Sequence, residues 1–282
     1  MSKTDLADAY MRVWIKIDDV PKLSVAIPPA MGDDEQLIGF HLSLPMGYIE
    51  STPFFCAASE TVADFANHSE RRTTPHTLEA LAATKPAKIH TACAGVLSDL
   101  EETALEHHLR QYSTKELTSC LEYTDVYVDD FILLMQSTRA MRKSTIRNLF
   151  HHINRVFRPN DAHNRNMLEV NSVKKLRKGD AYFTHIKKIL GWMIDSIKLH
   201  LIITTSRFAK MRVLLNGIKG QRRTTTKMWQ RMLDTLRSLA PGVAGGRGLF
   251  SVLQAAMHRE VARVRIPSSV YQILHLWRHM AD

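Results

Sequence analysis

Tyr127-Val128-Asp129-Asp130 places two adjacent carboxylates between two apolar runs, Val126-Tyr127-Val128 before them and Phe131 to Leu134 after. Both runs are rich in β-branched and aromatic residues, so the pattern predicts a hairpin with its acids at the turn. Like charges this close repel unless a positive group neutralises them. Hard carboxylate oxygens suit Mg²⁺, which takes one or two protein carboxylates and leaves positions for substrate phosphates. A solvated Asp-Asp turn is the plainer alternative. A further acid, Asp5, lies in the segment Thr4 to Val13, TDLADAYMRV. Beyond it Val13, Ile15 and Ile17 alternate with Arg12, Trp14 and Lys16, which predicts a strand leaving the acidic segment. One carboxylate from each segment could hold two ions roughly 3.5–4 Å apart for an in-line displacement at phosphorus.

With these segments the chain resembles the reverse transcriptases of retrotransposons, of the LTR gypsy-like type or a related retroelement. Tyr127 to Asp130 match the family's YxDD box, and Asp5 followed by Tyr10 matches its earlier segment of an Asp with an aromatic five residues on. Leu44-Pro45-Met46-Gly47, then Ser51-Thr52-Pro53-Phe54-Phe55, resembles the LPxG…(S/A)P…F segment, with one residue more between Gly47 and Pro53 than the common pattern. Ile189-Leu190-Gly191-Trp192, followed by Met193-Ile194-Asp195, resembles the LG-aromatic hairpin. The segments fall in family order and cover most of residues 1–240.

The resemblance implies an α+β fold. Residues 1–200 would form a polymerase palm, an antiparallel sheet backed by helices, with partial fingers and a variable insertion at about 67–120. Residues 201–282 would form a helical thumb- or connection-like region. The implied activity is RNA-directed DNA synthesis by two-metal nucleotidyl transfer, with Mg²⁺ as the ion and Mn²⁺ as its substitute. An RNA template, a DNA primer, dNTPs and the rest of a retroelement polyprotein are the implied partners. Asp5, Asp129 and Asp130 would be the catalytic metal ligands, with the backbone carbonyl of Leu6 completing the sphere. Tyr10 would crowd the sugar 2′-OH, and Met46 and Gly47 would lie over the incoming nucleotide. Tyr127 and Val128 would touch the primer end or template, and Leu190, Gly191 and Trp192 would grip the primer. Lys187 and Lys188 would contact the duplex, and one of Lys174, Lys175 and Lys178 would act near the pyrophosphate.

Asp8 falls where the family has no ligand and reads as a solvated acid. The basic fingers that precede the family's first aspartate have no counterpart before Asp5, and no ribonuclease H, protease or integrase pattern follows. The resemblance therefore implies a piece of a longer polyprotein. The alternative is a catalytically inactive nucleic-acid-binding remnant. A different two-metal polymerase or nuclease is disfavoured by the LPMG and LGW segments.

Several elements must position these residues. Ile146, Leu149, Phe150, Ile153 and Phe157 recur at helical spacing and predict an amphipathic helix behind the hairpin. A helix is predicted near Phe54 to Phe65, and part of the insertion, Asp99 to Glu106, favours helix. Beyond Thr204 two helices are predicted, with Thr205-Ser206 and Thr224 to Thr226 as N-caps. Gly245-Gly246-Arg247-Gly248 reads as a flexible link, since no Lys-Ser/Thr follows to make a phosphate loop.

Charge is divided along the chain. The whole carries 38 Lys+Arg and 28 Asp+Glu, a net +10, but residues 139–282 hold 28 and 7 of these. A basic half of this kind suits a surface that follows a phosphate backbone, with salt-sensitive, mostly sequence-independent binding. Cys56, Cys93 and Cys120 are widely spaced and odd in number, so neither a zinc site nor a disulfide framework is expected. The histidine pairs His107-His108 and His151-His152 read as surface or packing residues. With no long apolar run and no signal-peptide pattern, the expected location is intracellular, cytoplasmic or nuclear, with no membrane partner.

Overall fold

The computed structural model describes residues 1–29, 36–87, 121–157, 169–243, 245–257 and 263–279. The helix-favouring stretch Asp99 to Glu106, most of the expected insertion, Cys93 and Cys120 lie outside the described residues. The chain divides into two compact units, Met1–Thr184 and His185–Asp282, so the Leu190-Gly191 hairpin belongs to the second.

In the first unit a three-stranded antiparallel sheet runs in the order β1 (Ser2–Asp5), β5 (Asp130–Met135), β4 (Glu122–Tyr127). Side chains two apart share a face. Ser2, Thr4, Thr124, Phe131 and Leu133 point inward and are buried. They meet α1 (Ser51–His68) and α3 (Arg139–Phe157), whose Phe55, Val62, Ile146, Leu149, Phe150 and Ile153 join Phe131 and Leu133 in one apolar core. All five apolar positions expected on the helix behind the hairpin are buried there. Each large side chain buried in this way contributes roughly 1.5–3 kcal/mol.

Pro53 sits in the first turn of α1, where its missing N–H breaks no helical bond. Near the other end, the Asn67 amide donates to the Thr124 carbonyl and accepts from its N–H, each at 2.8 Å. That pair covers the outer edge of β4, which no strand pairs among the described residues. His152 is buried in α3 and bonds Ser69 Oγ at 2.8 Å, a packing role of the kind expected.

β2 (Val25–Ile27) and β3 (Leu37–Gly39) form a separate two-stranded ribbon, and α2 (Glu79–Ala82) and α4 (Val173–Arg177) are short. The strand expected over Val13 to Ile17 is not formed. Ala9–Arg12 and Ile17–Leu23 are 3₁₀ turns, and between them only Trp14 makes an isolated bridge, to Ser43. Alternation predicts a two-faced segment but not a pairing edge. The edge of β5 pairs Ser2–Asp5, so the strand precedes the aspartate instead of following it.

In the second unit β6 (Ile186–Ile189), β7 (Trp192–Asp195) and β8 (His200–Ile203) form an antiparallel meander. The α-helices among the described residues that follow are α5 (Thr205–Gly217), α6 (Thr226–Leu239), α7 (Gly246–Ala255) and α8 (Ser268–His279). Trp229, Met232, Leu233, Leu236 and Leu239 line one face of α6 and are buried with Leu253, Leu274 and Trp277. Thr225 Oγ1 caps α6 by accepting from Met228 N at 3.2 Å. At α5 the cap position falls to Thr204, whose side chain makes no cap bond, and not to Thr205 or Ser206.

Gly245 to Gly248 are not a link. Gly246-Arg247-Gly248 form the first turn of α7, and Gly245 takes the left-handed conformation at its start. A Cβ on Gly246 would lie 2.8 Å from the Ala240 carbonyl oxygen, so this glycine allows two backbone segments to touch. Among the described residues no helix is long and apolar enough to cross a membrane.

Candidate active site

Antiparallel register places Asp5 at the end of β1 directly opposite Asp130 at the start of β5, while Tyr127 pairs Asp130 from the other side. The Leu6 amide donates to the Asp129 carbonyl at 3.3 Å, and the Ser172 amide donates to the Asp5 carbonyl at 2.8 Å. Backbone pairing therefore gathers Asp5, Leu6, Asp129 and Asp130 at one end of the sheet. Asp5 is buried, and Asp129 and Asp130 are half-buried. Burial pushes the Asp129 carboxyl above the usual range and the charge of Asp130 adds to this, against its own backbone N–H and Lys3.

The turn that presents the acids is tight. Val128 has φ 57°, a region that β-branched residues rarely occupy, at a strain of roughly 1–2 kcal/mol. A positive φ at the first of two loop residues matches the hairpin turn in which glycine is usual. Strain of this sort persists where the surroundings fix the backbone. Val128 packs partly against the core, and Tyr127 is exposed beside the acids.

Two lysines meet these carboxylates. Lys3 Nζ lies 2.8 Å from Asp130 Oδ2, with both side chains largely enclosed. Lys175, on α4, pairs with Asp5. Of the three lysines considered for the pyrophosphate, Lys175 alone turns to the acids, while Lys174 and Lys178 are exposed. Lys3 was not anticipated from sequence. Its signal is its place two residues before Asp5 on one strand, hence on one face. Among the described residues no three acidic, histidine or cysteine side chains surround a common point as a metal cage. The donor chemistry suits a hard divalent ion, since the cluster is all carboxylate and already draws two cations, but two of its acids are held by lysines.

Tyr10 lies in the 3₁₀ turn after Asp5, its ring 4.9 Å from that of Phe55 and its hydroxyl 3.1 Å from Thr52 Oγ1. Ser51 Oγ donates to the Pro45 carbonyl at 2.9 Å, which ties the Met46-Gly47 loop to the same helix start. Met46 is exposed, and Gly47 has φ 95° with open space around it. Asp8 is an exposed residue in the left-handed conformation.

In the second unit Ile189 pairs Trp192 around a two-residue loop, Leu190 (φ 48°) and Gly191 (φ 82°), as a type I′ turn requires. A Cβ on Gly191 would meet the Arg207 guanidinium at 2.4 Å. Lys187 is buried, so of the expected Lys187-Lys188 pair Lys188 is the exposed member. Of the arginines in the basic half, Arg263 and Arg265 were not anticipated from sequence. β9 (Arg223–Thr225) pairs β10 (Arg263–Arg265), with Arg223 directly opposite Arg265 and both exposed. The alternation of arginines around the buried Val264 was the available signal. Like charges opposed across strands destabilise a ribbon, and no ion pair among the described residues relieves these two.

No protein-family model matches the chain, and no curated protein matches it. Solved structures do. The foamy viral protease-reverse transcriptase in its dRH form, in complex with double-stranded DNA, aligns over 99% of this chain at 13% identity, with a TM-score of 0.53. The foamy viral protease-reverse transcriptase in complex with double-stranded DNA aligns over 99% at 14% identity, with a TM-score of 0.51. The chain has a reverse-transcriptase-like fold. It spans 34% and 41% of the lengths of those two chains. Within this reverse-transcriptase-like fold, small antiparallel sheets and helices are mixed as the α+β expectation required.

Proposed function

We propose that the chain carries the palm and thumb of a retroelement RNA-directed DNA polymerase. The observation that carries this reading is the register of Asp5 on Asp130, which brings two distant acidic segments to the Asp129 turn. Asp5 and Asp129 would hold divalent ions, with Asp130 and the Leu6 carbonyl beside them. When bound, Mg²⁺ would acidify the primer 3′-OH and neutralise charge on the triphosphate and pyrophosphate. Tyr10, held by Phe55 and Thr52, would act as a steric limit at the sugar. Lys175 would carry positive charge to the phosphate side of the acids. The LG hairpin and the exposed arginines of β9 and β10 would hold the primer–template backbone, a partner consistent with the DNA-bound neighbours.

The test is primer extension on an RNA template with Mg²⁺ and dNTPs, using the chain alone and joined to a fingers segment of a related element. Extension by the joined protein, abolished by Asp129→Asn, is the expected result. The second reading is an inactive nucleic-acid-binding remnant, favoured by the lysines that hold Asp5 and Asp130. Binding of an RNA–DNA hybrid without extension in either form would establish it.

A further inference from the structure

The two lysines at the acids differ in how they are held. Lys3 extends from the strand that bears Asp5, and it and Asp130 are 15% and 16% exposed. Lys175 belongs to a five-residue helix, and its side chain is 42% exposed although its partner Asp5 is buried. One ammonium is therefore enclosed, and the other has a direct path to water along a flexible stem. We infer that Lys3 and Lys175 are built-in counter-ions of Asp130 and Asp5, and that a divalent cation enters by displacing Lys175 while Lys3 stays on Asp130. This rests on the metal-site reading above.

The physical ground is charge balance. Three carboxylates at one sheet end cannot all remain ionised without positive partners, and the buried Asp5 in particular needs one. With Lys175 in place the acids can stay together before any ion arrives. The retained Lys3 commits one oxygen of Asp130, which leaves Asp5 and Asp129 as the principal ligands. Lys3 and Lys175 are thus positioning residues that act through the acids.

The experiment uses the full chain and Mn²⁺, followed by the electron paramagnetic resonance signal of the free ion. Lys175→Met should bind about fivefold more tightly than the natural protein, the factor expected on losing one partly exposed competing pair. Lys178→Met removes a nearby positive charge that pairs with no acid among the described residues, and should change affinity less than about twofold. Amine acylation read by mass spectrometry gives a second measure that a purely structural lysine would not move. Saturating Mg²⁺ should speed labelling of Lys175 several-fold and leave Lys3 slow. Equal Mn²⁺ affinity in the natural protein and Lys175→Met, or labelling of Lys175 indifferent to Mg²⁺ while Mn²⁺ does bind, overturns the inference and leaves the metal site standing. No Mn²⁺ binding by any of these proteins overturns the metal-site reading, and this inference with it.

Discussion

Asp5 and Asp130 face each other across one antiparallel pair, and the residue after Asp130 anchors that pair from the opposite side of the sheet. Phe131 is fully buried and lies opposite both Thr4 and Val126. Phe131→Ala should lower stability by about 3–5 kcal/mol through loss of burial and the cavity left behind. Urea unfolding measures this directly. A loss below about 1 kcal/mol would mean that the hairpin is not seated on this core.

The Leu190-Gly191 turn offers a gain and a loss. Leu190→Asn puts a residue tolerant of positive φ at that position and should stabilise by about 0.5–1 kcal/mol. Gly191→Ala meets the positive φ, while the Arg207 guanidinium beside it can swing away, and should destabilise by about 1–2 kcal/mol. Melting temperatures of the two variants should therefore move in opposite directions.

A pH dependence follows from Glu79. Its carboxylate accepts from Arg147 Nε at 2.6 Å and Nη2 at 3.0 Å. That bonding, aided by the charges of Arg147 and Lys143, holds its pKa below the ordinary value despite burial. A carboxyl depressed in the folded state contributes stability above its unfolded pKa and loses it as pH falls through the folded one. Glu79→Gln should thus melt below the natural protein at pH 7. The difference should shrink as pH drops below about 4, where Glu79 protonates in the unfolded chain while the folded one still holds it ionised. A difference constant from pH 7 to pH 3 would contradict the assignment.

The arginine ribbon is testable by salt. If Arg223 and Arg265 each meet a phosphate, Arg223→Ala with Arg265→Ala should reduce the log–log salt slope of RNA–DNA hybrid binding by about 2. Affinity should fall about equally for unrelated sequences. Because the opposed charges repel in the free protein, the same double variant should not be less stable. An unchanged slope would make the ribbon a solvated surface.

Local chemistry was legible in the sequence. The YVDD hairpin, the helix from the period of Ile146 to Phe157 and the buried face of α6 all follow from side-chain period and turn chemistry, which neighbouring residues carry. What the sequence could not supply was pairing between distant segments. The alternation of Val13 to Ile17 ended as a single bridge to Leu42 to Leu44 and not a full strand, whereas Ser2–Asp5 became the strand because β5 lay beside it. Gly245 to Gly248 read as a link because close approach to Ala240 exists only once α6 and α7 have packed. The partners of the acids were likewise a tertiary outcome: register set Asp130 against Asp5, and only then did Lys3 and Lys175 acquire carboxylates to neutralise. Residue types determined which charges this protein has, and the tertiary structure decided which of them meet, because electrostatic energy depends on separation in space and not along the chain.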